Sequence, residues 1–405
     1  MGAGPVIALV DGEHHPSAVR DALARLNAER GVAAVVFCGG EEKVRQEVLD
    51  DPVAHYGFAL ERDYEGALRS AGARAVVDLA DEPVLPPAAK LRLAALALHH
   101  GLAYEMPGAT LTPPRCERVQ FDGPKLAVIG TGKRTGKTAV AGHWAALLRE
   151  RGVRPVIVSM GRGGPAEPVV ARADTTLADL VAIARDGRHA ASDYLEDAVL
   201  AGVTTVGCRR VGGGLAGEPF ESNVAEGAGL AASLEPDTIV FEGSGSCIPP
   251  VEVDRTVCVV GAGADLSGLG SYPLLRSDLA LVMGALPSEP PPCRTLRCRL
   301  VPEPVEPPPE GARLAIFTTG APSSDSLEPV VASTALARRG ELASDLDRAA
   351  RERCDVYLVE LKAAAIDTVA SAAERRGARV IFLRNRPVAL DGDLDSELLD
   401  LHDSA

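Results

Sequence analysis

Residues 125–148 constrain the fold more than any other stretch. Leu126, Ala127, Val128 and Ile129 form an unbroken apolar run, the pattern of a buried parallel strand. The run breaks at Gly130 into a loop of small and basic residues. Gly136, Lys137 and Thr138 then open a segment in which Val140, Trp144, Leu147 and Leu148 recur at helical spacing. Strand, glycine loop, Gly-Lys-Thr and helix together make a phosphate-binding loop. Its backbone N–H groups close around phosphate oxygens, the helix N-terminus adds positive potential, and Lys137 supplies a mobile charge. Gly130, Thr131, Gly132, Thr135, Gly136, Lys137 and Thr138 are therefore expected to hold a nucleoside triphosphate, with the Thr138 hydroxyl on Mg²⁺.

One position departs from the usual loop. Thr131 stands where the first glycine is expected, with Gly130 just ahead of it. Gly-Thr, four residues, then Gly-Lys-Thr resembles the loop of dethiobiotin synthetase and its ligase relatives.

Composition narrows the partners. The net charge of −14 argues against a nucleic-acid binder, which needs cations to displace phosphate counterions. Yet residues 125–164 carry eight bases and one acid, which points to an anionic small molecule. No stretch approaches 18 apolar residues, so no membrane span is expected. The first residues lack a basic segment followed by an apolar core, which predicts a cytoplasmic protein. Eight scattered cysteines with no C-x-x-C pair read as reduced thiols, neither a disulfide framework nor a zinc site.

Along the chain, residues 1–122 read as an N-terminal doubly wound α/β domain, from alternating apolar strands and amphipathic helices. Two of its strand ends run into polar loops, DGEHHP (11–16) and DLADE (78–82), where such sheets bind ligands. Residues 123–285 read as the nucleotide-binding core on a central parallel sheet. Residues 286–405 read as a Pro-rich surface connector followed by strands near 314–317, 356–359 and 380–383. These form either a small C-terminal α/β unit or an extension of the central sheet. Glu360 and Lys362 close one of those strands.

Within the core, three further clusters suit phosphate. Arg162 and Gly163 sit in a glycine-rich turn after the second strand, Arg188 and His189 follow a helix, and Arg209 and Arg210 precede three glycines. Guanidinium forks match phosphate oxygens. In an extended segment Arg209 and Arg210 point to opposite sides, so only one can serve the ligand. Each cluster alone could be a tight turn; three close to a phosphate loop favour a substrate with more than one phosphate. Glu242 ends an apolar strand at Gly-Ser-Gly-Ser, a position that binds Mg²⁺ in this fold.

With these residues in view, the chain resembles the cyclic 2,3-diphosphoglycerate synthetase family. The matching pieces are DGEHHP (11–16), VIGTGKRTGKTAV (128–140), MGRGGP (160–165), GRHAASDYLEDA (187–198), VGCRRVGGGLAG (206–217) and FEGSGS (241–246). Past residue 286 the likeness rests on VELKAAAID (359–367). The resemblance implies a ligase that uses ATP and Mg²⁺ to close the phosphoanhydride ring of 2,3-diphosphoglycerate, releasing ADP and phosphate, and it implies a homodimer. Lys137, with Lys133 or Arg134, then serves the transferring phosphoryl group. Arg162, Gly163, Arg188, His189, Arg209 and Arg210 become the substrate candidates, and Thr138 and Glu242 the metal ligands. The acidic N-terminal loops suit a metal or potassium better than a polyanion. Another ligase of the same branch, acting on a different carboxylate or phosphate, is the alternative. A nucleotide-dependent switch or metal-delivery protein fits less well, since the chain has no Asn-Lys-x-Asp and no Cys/His delivery cluster.

Overall fold

The apolar run ahead of the phosphate loop becomes the strand Lys125–Gly130, in the middle of a thirteen-stranded sheet. The computed structural model describes residues 4–187, 189–287, 291–320, 327–362 and 364–405. The chain divides into two units, Met1–Arg115 with Asp265–Arg276, and Cys116–Ala264 with Ser277–Ala405.

In the larger unit, Thr205–Val211, Pro155–Gly161, Thr238–Glu242, Lys125–Gly130, Arg255–Val260 and Leu279–Met283 lie side by side and parallel. Continuous Val, Ile and Leu make these strands apolar on both faces, as a sheet covered by helices requires. The helix Lys137–Glu150 lays Val140, Ala141, Trp144, Ala145 and Leu148 on that core, while Leu147 is only half-buried. The α/β class and the parallel central sheet agree with the sequence reading.

The Pro-rich segment differs from the reading of a surface connector. Arg294–Pro304 is an eleven-residue strand. Its first residues pair in parallel with Leu279–Met283, and its later ones run antiparallel to Arg379–Ala389. Buried Leu296 and Cys298 alternate with arginines, a period-two signal that the flanking prolines obscure. Val356–Glu360, Leu314–Phe317 and Val331–Ser333 then continue the same sheet, parallel to Arg379–Ala389. The C-terminal strands thus extend the central sheet in the opposite sense.

This reversal positions the site. Met283 pairs with Cys298, whereas Glu360 pairs with Leu383, the partner of Pro304. Six residues of ribbon, about 20 Å at 3.4 Å per residue, therefore separate the C-terminal ends of the two strand sets. Each set ends toward the other, and both border one cleft. Helices on the nucleotide side bury Leu180, Leu195 and Ala198 in a common core with Phe317, Tyr357 and Val359 of the C-terminal strands.

The smaller unit holds a five-stranded sheet in the order Val32–Phe37, Val6–Val10, Ala75–Asp78, Ala103–Met106, Ala109–Leu111, parallel except for the last strand. Its two polar loops tie to each other. Buried Asp11 accepts from the Asp81 N–H at 2.5 Å and sits 2.8 Å from His14 Nδ1. Asp78 accepts from Lys90 Nζ and the Tyr104 hydroxyl. His15 caps the helix Pro16–Arg30. The residues 265–276 also belong here: Gly268 packs so closely on Leu91 that an added Cβ would lie 2.9 Å from the Leu91 Cβ. No helix among the described residues is long and apolar enough to cross a membrane. All eight cysteines are free thiols.

Candidate active site

Gly136 turns the chain from loop into helix with φ 103°, a conformation glycine adopts freely. A Cβ there would press on Leu300 Cδ1 at 3.0 Å, so the strand Arg294–Pro304 braces the loop from outside. Inside it, Lys137 is 6% exposed and donates to the Gly132 carbonyl at 2.6 Å, with Thr135 Oγ1 at 3.4 Å. Burial lowers its pKa, and the nearby Glu242 charge opposes that shift. Thr131 fills the unusual loop position by accepting from the Gly261 N–H at 3.1 Å. Its hydroxyl anchors the loop to the turn after the neighbouring strand Arg255–Val260.

Glu242 closes the strand Thr238–Glu242 directly below the loop. Thr138 Oγ1 donates to its Oε1 at 2.5 Å, and Ser159 Oγ donates to its Oε2 at 3.2 Å. Behind it the helix Asp193–Ala201 turns Glu196 and Asp197 inward, 6% and 2% exposed. Burial pushes Glu242 up to about 7; the Asp193 charge adds to the shift, and Thr138 and Lys137 oppose it. Burial also pushes Glu196 up to about 7, opposed by Lys362. Asp197 lies well above the usual carboxylate range because it is buried beside the charges of Glu242 and Glu196. It hydrogen-bonds Glu242, yet its Oδ2 has no partner. Acids packed this closely share protons.

Above them lies a cleft of about 550 Å³. Lys133, Arg134, Thr135, Gly136, Lys137, Thr138, Arg162, Gly163, His189 and Glu242 all line it. Arg134 takes the left-handed conformation, φ 61°. Gly130 and Thr131 lie behind the wall, and the Gly132 carbonyl holds Lys137. Arg209 and Arg210 separate as strand alternation requires. Arg210 is 8% exposed and donates to the Ser244 and Gly212 carbonyls at 2.8 and 2.6 Å, behind the cleft wall, while Arg209 is exposed; neither lines the cleft itself. Arg162 and Arg210 converge over Gly245, where φ is 62° and a Cβ would lie 2.5 and 3.2 Å from their respective Nη2 atoms. Arg188 lies outside the described residues.

The sequence reading missed the acids on Asp193–Ala201, whose spacing also suits a solvated helix face. It noted Glu360 and Lys362 without a role. Both line the cleft with Thr319 and Asn385, brought there by the reversed strands.

Three family models match successive parts of the chain. They describe the N-terminal, P-loop and C-terminal domains of cyclic 2,3-diphosphoglycerate synthetase and match residues 5–112, 125–286 and 313–386. The chain belongs to the cyclic 2,3-diphosphoglycerate synthetase family. A relative of that name from Rubrobacter xylanophilus is 44% identical over 95% of both chains. One from Thermococcus gammatolerans is 39% identical over 95% of this chain and 94% of its own. One from Methanothermobacter thermautotrophicus is 36% identical over 99% and 96%. The synthetase family thus extends across both units, and its P-loop domain carries the loop and Glu242.

Proposed function

We propose that the protein is an ATP-dependent ligase that closes 2,3-diphosphoglycerate into its cyclic phosphoanhydride. The observation that carries this reading is the cleft itself. A phosphate loop meets Arg162 there, with buried Arg210 converging on it over Gly245, in a chain whose relatives over nearly its whole length bear the synthetase name. Two phosphates on one substrate must approach a third on ATP, and that crowding of negative charge needs fixed cations.

Lys137 and the loop amides bind the β- and γ-phosphates of ATP. Arg162 grips one substrate phosphate over Gly245, with buried Arg210 adding its charge from behind and His189 and Gly163 at the rim. An oxygen of the other substrate phosphate attacks the γ-phosphorus. The bond from that phosphorus to the β,γ-bridging oxygen breaks, and ADP leaves with the electron pair. Lys133 or Arg134 stabilises the charge on the transferring group. An oxygen of the arginine-held phosphate then attacks the activated phosphorus, expels inorganic phosphate and closes the ring. Holding both phosphates in one cleft makes this second step intramolecular.

Mg²⁺ fits beside Thr138 and Glu242, because the Asp197 carboxylate behind them has an unpartnered, buried oxygen. Among the described residues, no group of three or more His, Cys, Asp or Glu side chains is arranged to hold a metal. Mg²⁺ bound through one carboxylate and the nucleotide's own phosphates matches that arrangement. When bound, it neutralises charge on the β- and γ-phosphates.

Phosphorus NMR of the protein with MgATP and 2,3-diphosphoglycerate tests the reading. Equal loss of both monoester signals, with anhydride resonances and free phosphate appearing, is expected. ATP consumption with both monoesters unchanged overturns it.

A further inference from the structure

Lys362 comes from the opposite strand set yet opens onto the same cleft. We infer that Lys362 touches the substrate phosphate that receives the γ-phosphoryl group, held in place by Glu360 and Glu196. The inference rests on the ligase reading and extends it to the C-terminal strands.

Glu360 is a fixed group. It is 8% exposed and accepts from the Thr319 N–H and hydroxyl at 2.8 and 2.7 Å, and from Asn385 Nδ2 at 3.3 Å. An anion gains nothing from a carboxylate held this way. Lys362 differs. Its side chain is 39% exposed, and its Nζ stands 3.3 Å from Glu360 and 3.6 Å from Glu196. Both distances exceed the usual 2.9 Å of an N–H···O bond. The ammonium is thus kept in the cleft by two carboxyl groups, with one long hydrogen bond to Glu360 and donors left over.

The direction of phosphoryl transfer supplies the second argument. The loop holds the donor phosphates from the nucleotide side, so the attacking oxygen must enter in line from the far side. Strand polarity puts the ends of Val356–Glu360 and Leu314–Phe317 on that far side. Among the described residues these ends bring to the cleft, Lys362 is the cation. Arg162 lines the cleft at Gly245 with Arg210 behind it, which leaves Lys362 for the second substrate phosphate. Glu360 and Glu196 act through it, as positioning residues.

The test compares wild type with Lys362→Gln, Lys362→Arg and Glu360→Gln, reading cyclic product by phosphorus NMR and MgADP affinity by calorimetry. Lys362→Gln should lower kcat/KM for 2,3-diphosphoglycerate about 10- to 100-fold, the scale of one charge-assisted contact. MgADP affinity should stay within about twofold, and Lys362→Arg should recover part of the loss. Glu360→Gln should lower kcat/KM less, with the same unchanged MgADP affinity. Unaltered kcat/KM in Lys362→Gln overturns the inference, as does a parallel loss of MgADP affinity or folding. Wild type that makes no cyclic product overturns the ligase reading itself and takes the inference with it.

Discussion

At the scale of single residues, the roles of neighbours diverge because backbone geometry assigns them. Arg209 and Arg210 are adjacent, but only Arg210 faces inward. Arg210→Ala should raise KM for the phosphorylated substrate by about tenfold or more, the scale of a lost charge-assisted contact. Arg209→Ala should leave kcat/KM within about twofold, as an exposed charge outside the site does. Steady-state kinetics on the two variants separates them. That one of the pair must point away was legible in the sequence; which one depends on the register of the strand Thr205–Val211, which sequence spacing does not reveal. Lys137, Thr138 and Glu242 were legible because their motif ties chemistry to spacing. Glu196 and Asp197 were not, because acids on a helix give no sign of which face is buried.

Glu196 also carries a pH signature. Its native pKa, about 7, lies above the ordinary value of 4.5, so the folded state holds a proton that the unfolded chain releases. Stability from this group is full below about 4.5 and is lost as pH rises to about 7. Metal-free wild type should therefore lose more melting temperature between pH 4.5 and 8 than Glu196→Gln does. Parallel melting curves across that range check the difference.

At the scale of elements, loops that carry chemistry depend on strands that carry none. Gly136 is fixed by a positive φ and by Leu300 against it. Gly136→Ala should weaken MgADP binding at least tenfold by calorimetry while the helix Lys137–Glu150 persists in circular dichroism, because the strain falls on the loop. Most strands could be read from their apolar runs: Lys125–Gly130, Leu314–Phe317 and Val356–Glu360 lie where those runs predicted. Arg294–Pro304 could not. Proline content argues for an extended surface segment, and only pairing with two neighbours makes it a strand. Without that strand, neither the reversed sheet nor the route of Glu360 and Lys362 into the cleft can be inferred.

At the scale of the whole molecule, the smaller unit is discontinuous: residues 265–276 belong with residues 1–115. Leu269, Tyr272 and Leu274 are buried in that segment. Removing residues 1–115 alone should leave those side chains uncovered and give aggregates on size-exclusion chromatography. Replacing 265–276 with a short polar linker in the same truncated chain should restore a discrete species. An apolar surface of this kind drives association when its cover is lost.

The same discontinuity has a consequence for synthesis on the ribosome. A chain grows from its N-terminus at about 5–20 residues per second, and the last piece of the smaller unit is made about 160 residues after Arg115. The first unit to be translated therefore waits roughly ten to thirty seconds for its final segment. By then the strands Lys125–Gly130, Pro155–Gly161 and Thr238–Glu242 have all been made. Synthesis of the second unit is thus well under way before the first is complete, and the face of Pro87–His99 that receives Gly268 stays uncovered through that interval.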